Sequence, residues 1–148
     1  MLRQIALIAA LTTTPALASD DILRVEATGG VATVMDRLEA AVTGAGATIF
    51  ARVDHGAGAA SVDMELADAE LLIFGNPKLG TPAMQADMHA GIFLPLRVLV
   101  YADADGQTWL AYEAPREMLD DLSIPTDAPF LGAMEGALEN LTASAAGG

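Results

Sequence analysis

The sequence predicts an α+β domain in which helices pack mainly on one face of an antiparallel or mixed sheet. Three observations predict this class: an apolar repeat of helical spacing that begins at Val31, several short apolar segments of strand type, and a hairpin turn at Asp103 to Gly106. Strands and helices do not alternate regularly, so a doubly wound parallel sheet is not expected. No repeat or linker divides the chain, which indicates one domain.

The first 18 residues have the pattern of an export signal. Arg3 precedes an apolar run from Ile5 to Leu11, and Pro15 precedes the small-residue site Ala16-Leu17-Ala18. The run is shorter than the roughly 20 residues of a membrane-spanning helix, and no cysteine follows the site for lipid attachment. We therefore expect cleavage after Ala18, a mature domain of residues 19–148, and a periplasmic or secreted location.

The composition excludes several partners and several kinds of site. The chain has 7 Lys and Arg against 20 Asp and Glu, and because cleavage removes Arg3 the formal charge falls from −13 to −14. Such a charge repels nucleic-acid phosphates and anionic lipid surfaces, so neither is expected as a partner. The absence of cysteine excludes disulfides, thiolate metal sites and thiol nucleophiles.

A strand and a helix open the mature chain. Asp20 to Thr28 contains a short apolar segment and ends at Gly29-Gly30. The helix is indicated by apolar residues at the spacing of one helical face, namely Val31, Val34, Met35, Leu38 and Val42. Gly44 and Gly46 are expected to end it, because glycine readily adopts the left-handed conformation of a helix C-terminus.

Thr48 to His55 alternates as a half-buried strand does. Ile49, Ala51 and Val53 are predicted to face inward, and His55 continues that face at the end of the strand. The small residues from Gly56 to Ala60 are predicted to form a loop.

Three features guide the prediction for the rest of the chain. The segment Gly75 to Gly80 holds two Gly and a Pro and predicts a turn, after which Thr81 and Pro82 have the pattern of an N-cap and first helical residue. The Asp103 to Gly106 segment predicts a hairpin turn, since its spacing does not fit a calcium-binding loop. The predicted elements are strands at 62–66, 70–74, 96–101 and 107–112, and helices at about 82–90, 115–122 and 127–143.

Three segments resemble a known family: ARVDHGAGAA (residues 51–60), AELLIFGNPKLGTPAMQ (69–85) and LPLRVLVYADADGQTWLAY (94–112). Over about residues 21–122 the chain is similar to the family called domain of unknown function 302. The resemblance implies a fold of the TATA-binding-protein class, a curved antiparallel sheet backed by helices, without nucleic-acid binding. It implies no catalytic residues, because the family has no established activity. Met88-His89 departs from its usual pattern.

The Gly75 to Thr81 turn is the first candidate site. Backbone amides at the start of a helix, together with Lys78, favour an anion, and we expect Asn76, Gly80 and Thr81 to take part in such a site. A tight, well-capped turn between strand and helix, without a ligand, is the alternative.

Two further candidates involve the histidines. If His55 faces inward, we expect it to act as a ligand-binding group, as a general base, or as a core residue satisfied by a backbone hydrogen bond. Met84, Met88 and His89 combine thioethers with an imidazole, which suits copper. His55 and Met64 would extend the set to a copper or haem site. Methionine at helical spacing is also common as core filling.

These patterns favour a non-enzymatic binding module for a small ligand, anion or metal, with His55 and the Gly75 to Thr81 turn bordering one hollow. The first alternative is an interaction domain that forms a homodimer or binds another exported protein through a sheet face. The second is a hydrolase with His55 as its base, for which the sequence offers no paired nucleophile.

Overall fold

A computed structural model describes residues 21–147 of the chain; the predicted export signal at residues 1–18 lies outside these residues. The five strands are β1 Ile22–Ala27, β2 Thr48–Asp54, β3 Ala69–Gly75, β4 Leu96–Ala102 and β5 Thr108–Glu113. The helices are α1 Val31–Gly44, α2 His55–Ala60, α3 Pro77–Ala86, α4 Ala90–Phe93, α5 Pro115–Met118 and α6 Pro129–Ala146.

The strands form one antiparallel sheet in the order β1-β5-β4-β3-β2. Because β1 and β2 lie at opposite edges, the chain between them must cross the sheet, and α1 makes this crossing. Helices α1 and α6 pack against each other, with α1 on the β2, β3 and β4 side and α6 on the β1 and β5 side. The predicted α+β class is confirmed.

The core lies between the sheet and these two helices. Apolar residues alternate along the central strands, and one set of side chains points to the helices. The buried set includes Leu72, Phe74, Val98, Val100 and Leu110 of the sheet, Val34, Met35 and Leu38 of α1, and Met134 and Leu138 of α6.

The other side chains of the strands form a second face, which we call the open face. None of its members is buried among the described residues, although many are apolar. The open face consists of Ile22, Arg24, Glu26, Thr48, Ala51, Val53, Ala69, Leu71, Ile73, Arg97, Leu99, Tyr101, Trp109, Ala111 and Glu113.

A bulge in β2 changes the predicted side-chain directions. Ile49 pairs with Phe74 and Ala51 with Ile73, so Phe50 is an extra residue between them. One extra residue reverses the alternation that follows it. Ile49 therefore faces the helices as predicted, whereas the inward direction predicted for Ala51 and Val53 is wrong.

The segment after β2 also differs from the prediction. Residues 55–60 form helix α2 instead of a loop, because the Asp54 carboxylate accepts a hydrogen bond from the Ala57 N–H and caps the first turn. The strand predicted at residues 62–66 is wrong, since these residues are turn and irregular structure.

Helix α3 begins five residues before its predicted start. Asn76 is its N-cap and Pro77 its first residue, so Thr81 and Pro82 lie inside the helix. The helix ends at Ala86, and the short helix α4 follows separately.

Helix α6 differs from its prediction at both ends. It begins after Ala128 without a side-chain cap from Asp127, and it continues to Ala146 beyond the predicted end near residue 143. The Thr28 N–H donates to the Ala146 carbonyl at 3.0 Å, and Ala145 is fully buried. These contacts hold the last helical turn against the start of α1.

Candidate functional site

A cavity of about 290 Å³ lies beside the turn between β3 and α3. It is open on one side, and its wall is mainly apolar. Three of the residues predicted for this turn line it: Asn76, Gly80 and Thr81. The turn is therefore part of the wall of this cavity.

Sequence reasoning missed most of the cavity wall. Phe50 comes from the bulge in β2, Leu94 and Pro95 from the segment before β4, and Met134 from α6. These residues are distant in sequence from the turn, so no local pattern could have grouped them with it.

Glycine allows two close contacts in this wall. A side chain at Gly75 would place its Cβ 3.3 Å from Pro95 Cβ and 3.6 Å from Phe50 Cε2. At Gly91 the corresponding Cβ would lie 2.9 Å from Met84 Cε, so the methionine lies directly across that glycine. The cavity thus depends on small residues at two points where chain segments meet.

The amides at the start of α3 are already engaged. Asn76 accepts three hydrogen bonds: its Oδ1 from the Lys78 N–H at 3.0 Å, and its backbone carbonyl from the N–H groups of Leu79 at 2.9 Å and Gly80 at 3.0 Å. Pro77 has no N–H to offer. The donors that an anion would need here are therefore occupied, and the geometry favours an uncharged, mainly apolar occupant.

His55 and Lys78 do not border one hollow. Asp54 pairs with Glu70 at one end of β3, whereas the turn that carries Lys78 follows Gly75 at the other end. At a rise of about 3.3 Å per residue, the ends of this pairing are roughly 17 Å apart. The predicted convergence of His55 with the turn is wrong.

His55 itself is exposed as the first residue of α2. Its neighbour Asp54 is engaged as the helix cap, and the Ser61 hydroxyl donates to the Gly58 carbonyl at 2.7 Å. Neither group is arranged to orient His55 or to be activated by it, so the geometry does not favour a histidine-based hydrolase.

The predicted metal ligands are not brought together, and Met64 is 66% exposed. Met84 lines the cavity, Met88 is 71% exposed, and His89 is exposed beside Asp87, while His55 lies at the far end of β3. Within residues 21–147 no group of three or more His, Asp or Glu side chains is placed to hold a metal ion. This geometry does not favour a copper or haem site.

The His89 ring pairs with Asp87 instead. Nδ1 of His89 lies 2.9 Å from Asp87 Oδ1, and the other carboxylate oxygen accepts from the Ser123 N–H at 3.0 Å. The Ser123 N–H, then the His89 N–H and ring, lower the pKa of the Asp87 carboxyl. This group links the α3–α4 connection to the segment before α6.

The family described as "Domain of unknown function DUF302" matches residues 23–143, which is most of the chain. The chain belongs to this family. The match includes most of α6 and therefore extends past the predicted end of the family-like part, near residue 122.

A solved DUF302 structure has the same fold. The "uncharacterized conserved protein DUF302 from Bacillus stearothermophilus" superimposes with a TM-score of 0.78 over 86% of this chain and 99% of its own length. Its sequence is 16% identical, so the likeness bears on the DUF302 fold alone.

Curated relatives of this DUF302 chain come from Brucella. Residues of the chain are 40% identical over 94 positions to proteins named "Fluoride-specific ion channel FluC 1" in Brucella suis biovar 1 and Brucella abortus biovar 1. The alignment covers 64% of this chain but only 37% and 35% of those proteins, so the chain spans about a third of their length. Within residues 21–147 no helix combines the length and apolarity needed to cross a membrane.

Proposed function

We propose that this DUF302 domain is a non-enzymatic binding module for a small, uncharged and mainly apolar molecule, held in the cavity beside the β3–α3 turn. The observation that carries the proposal is the cavity wall, in which Phe50, Met84, Leu94 and Met134 surround the polar groups of Asn76 and Thr81. A mainly apolar hollow with a few polar groups is typical of small-molecule sites. Its volume, about 290 Å³, suits a ligand of two fused rings or fewer.

The test uses 2-naphthol, an uncharged fluorescent probe, with a variant that fills the cavity. Gly80 lies in α3, and its added Cβ would stand 3.8 Å from Leu94 Cδ1, so Gly80→Leu directs a side chain into the hollow. We expect saturable 1:1 binding to the natural protein and at least roughly tenfold weaker binding to the variant. Titration by fluorescence measures both.

The control is Gly58→Leu in α2, where an added Cβ has no neighbour within 4 Å. It should bind the probe as the natural protein does. Equal binding by Gly80→Leu, or no saturable binding by the natural protein, rejects the cavity as the ligand site.

An extracytoplasmic site of action is part of the proposal. It rests on Arg3, the apolar run Ile5 to Leu11 and the Ala16-Leu17-Ala18 site. The experiment is expression in a Gram-negative host, fractionation and mass measurement. Support would be a periplasmic or secreted protein that begins at Ser19; a cytoplasmic protein that keeps residues 1–18 would contradict it.

The second candidate is an interaction module that pairs with a second copy through the open face. That face is rich in apolar side chains, with Ile22 57% exposed. It also carries both signs of charge, Arg24 and Arg97 against Glu26 and Glu113. Mixed signs let two identical faces oppose unlike charges. Sedimentation velocity tests it: Leu99→Asp should shift a dimer to monomer, whereas Ile92→Asp, outside the face, should not. A natural protein that is monomeric at high concentration rules it out.

The comparison with the Brucella relatives supports the interaction module more than it supports fluoride as a ligand. A small anion such as fluoride needs free N–H donors, and the amides that begin α3 are taken by Asn76. The chain charge of −13 also disfavours an anion. In those relatives, however, the matched segment is one part of a longer chain, which favours a role next to other protein domains.

A further inference from the structure

The neighbouring strands β4 and β5 separate halfway along the sheet. They pair over Leu99–Ala102 and Thr108–Ala111, and the pairing stops there. Beyond this point Tyr112 and Glu113 pair with β1, while the first part of β4 pairs with β3. A cleft of about 470 Å³ lies in the gap.

The cleft passes from the open face towards the helices. Leu71 and Leu99 form its outer wall on the open face, and Leu96, Met118 and Leu138 line its inner part. Leu138 is 1% exposed and Met118 is 7% exposed, so the floor belongs to the core. Its volume is within the roughly 300–1,000 Å³ of small-molecule sites.

The rim of the cleft carries unlike charges on opposite walls. Arg97 lies on β4, and Glu113 and Asp21 lie on the side of β5 and β1. If the pairing of Leu99 with Ala111 continued for two more residues, Arg97 would directly oppose Glu113 as a cross-strand ion pair. Because the strands separate instead, none of the ion pairs formed within residues 21–147 includes Arg97, Glu113 or Asp21.

We propose that this cleft binds a zwitterion with an apolar side chain, namely a free aliphatic or aromatic amino acid. The carboxylate of the ligand pairs with the Arg97 guanidinium, and its ammonium pairs with Glu113 and Asp21. The side chain enters between Leu96 and Leu138 and leaves water, which favours binding of an apolar group.

The charges select against simpler ligands. A lone carboxylate would meet Arg97 but also two acidic groups at the same rim. A lone amine would leave the arginine without a counterion. A zwitterion satisfies both walls and adds no net charge to a chain that carries −13.

This second site is separate from the cavity beside the β3–α3 turn. Leu96 stands in the wall between them and lines both, while Met134 and Leu138, one helical turn apart on α6, each line one. The proposal does not rest on the function proposed above for the other cavity.

Calorimetric titration of the purified protein with L-leucine and L-phenylalanine tests the proposal. At least one should bind saturably at 1:1 stoichiometry. Three analogues test the contribution of each group of leucine. Glycine lacks the side chain, 4-methylpentanoate lacks the ammonium group, and 3-methylbutylamine lacks the carboxylate. Each should bind at least roughly tenfold more weakly than leucine. An analogue that equals leucine, or no saturable binding of either amino acid, overturns the proposal.

Variants identify the part of the molecule to which leucine binds. Arg97→Gln and Glu113→Gln change exposed side chains, so the fold should be kept, and each should weaken leucine binding about tenfold. Glu26→Gln, an exposed glutamate on the open face outside the cleft, is the matched control and should leave the affinity unchanged. Gly80→Leu should also leave it unchanged. Loss of leucine binding in Gly80→Leu, with Arg97→Gln unaffected, would place the amino acid in the other cavity and reject the cleft.

Discussion

Leu72 and Leu71 are neighbours on β3 and yet belong to two different parts of the molecule. Leu72 is fully buried (0% exposed) beneath the helices, whereas Leu71 lies on the open face and keeps part of its surface in water. Both are leucines in a central strand, and the sequence around them is apolar on both sides. The difference shows that an apolar strand supplies two surfaces, of which the two long helices cover one.

The covered face accounts for stability, and the open face is available for recognition. Burial of a leucine in a close-packed interior stabilises the fold by its transfer from water and by the contacts it makes. Side chains on the open face have neither complete transfer from water nor a complete set of packing contacts. The cleft between β4 and β5, however, opens on this face. Substitutions on the two faces should therefore differ in their effect on stability.

Truncation of the two leucines gives the largest contrast. Leu72→Ala should lower the free energy of unfolding by about 2–5 kcal/mol, because it leaves a cavity under the helices. Leu71→Ala should cost less than about 1.5 kcal/mol, since water can replace the lost contacts. Urea denaturation followed by circular dichroism measures both. Similar losses for the two variants would mean that the open face is covered in solution, as a second copy would cover it.

At the edge of the covered face, the ion pairs of Arg52 take the place of apolar packing. Its guanidinium binds Asp36 at 2.7 Å and Glu39 at 3.3 Å on α1, and it also binds Glu70 on β3. These carboxylates raise the pKa of Arg52, with Glu70 the largest contributor. Arg52→Met should lower stability at neutral pH by about 1–3 kcal/mol, since Glu70 is left half-buried near two like charges.

Urea denaturation at neutral pH measures the loss in Arg52→Met. Arg116→Met is the matched control: it removes one contact to Glu135 and a hydrogen bond to the Thr126 carbonyl at the surface. Its cost should be smaller, because Arg116 contacts a single carboxylate. A larger loss for Arg116→Met would show that the Arg52 cluster does not secure β2 to α1.

The smallest effect concerns Trp109 on the open face. Its Nε1–H donates to Asp103 Oδ2 at 2.8 Å, and this hydrogen bond, aided by the N–H groups of Gln107 and Asp105, lowers the pKa of the Asp103 carboxyl. A folded-state pKa below the unfolded value of about 3.9 stabilises the fold above that pH. The stabilisation is lost as the pH falls through the lower folded-state pKa.

Trp109 is the single tryptophan of the chain, so its fluorescence reports this step directly. The natural protein should show a fluorescence transition below pH 3.9 that is absent in Asp103→Asn. Asp87→Asn should keep the transition, because Asp87 bonds Ser123 and His89 elsewhere in the fold. A transition that persists in Asp103→Asn would assign it to global acid unfolding.

Much of the fold follows from local patterns, and the errors have identifiable causes. The α1 repeat from Val31 to Val42 and the hairpin turn at Asp103 were predicted because helical spacing and turn chemistry act within a few residues. Asn76-Pro77 and Thr81-Pro82 have the same pattern of cap and first residue, and the sequence does not choose between them. The structure places the helix start at the first pair, where Asn76 satisfies three amides.

For the candidate site, His55 illustrates the limit of prediction from the sequence. Regular alternation along β2 predicts an inward direction for His55, and the bulge at Phe50 reverses this alternation. A bulge depends on the partner strand, so residues of β2 alone do not reveal it. Of the predicted site residues, Asn76, Gly80 and Thr81 do line a cavity because they are neighbours in one turn.

The α+β class and the acidic, cysteine-free character of the domain follow from short-range periodicity and from composition. The family resemblance follows from the three segments at residues 51–60, 69–85 and 94–112. The fold places the long helices on one face of the sheet, sets the positions of the two proposed binding sites, and holds Arg97 and Glu113 apart across a cleft. Those features arise from strand register and from contacts between distant segments, and loop closure brings such segments together without leaving a local pattern in the chain.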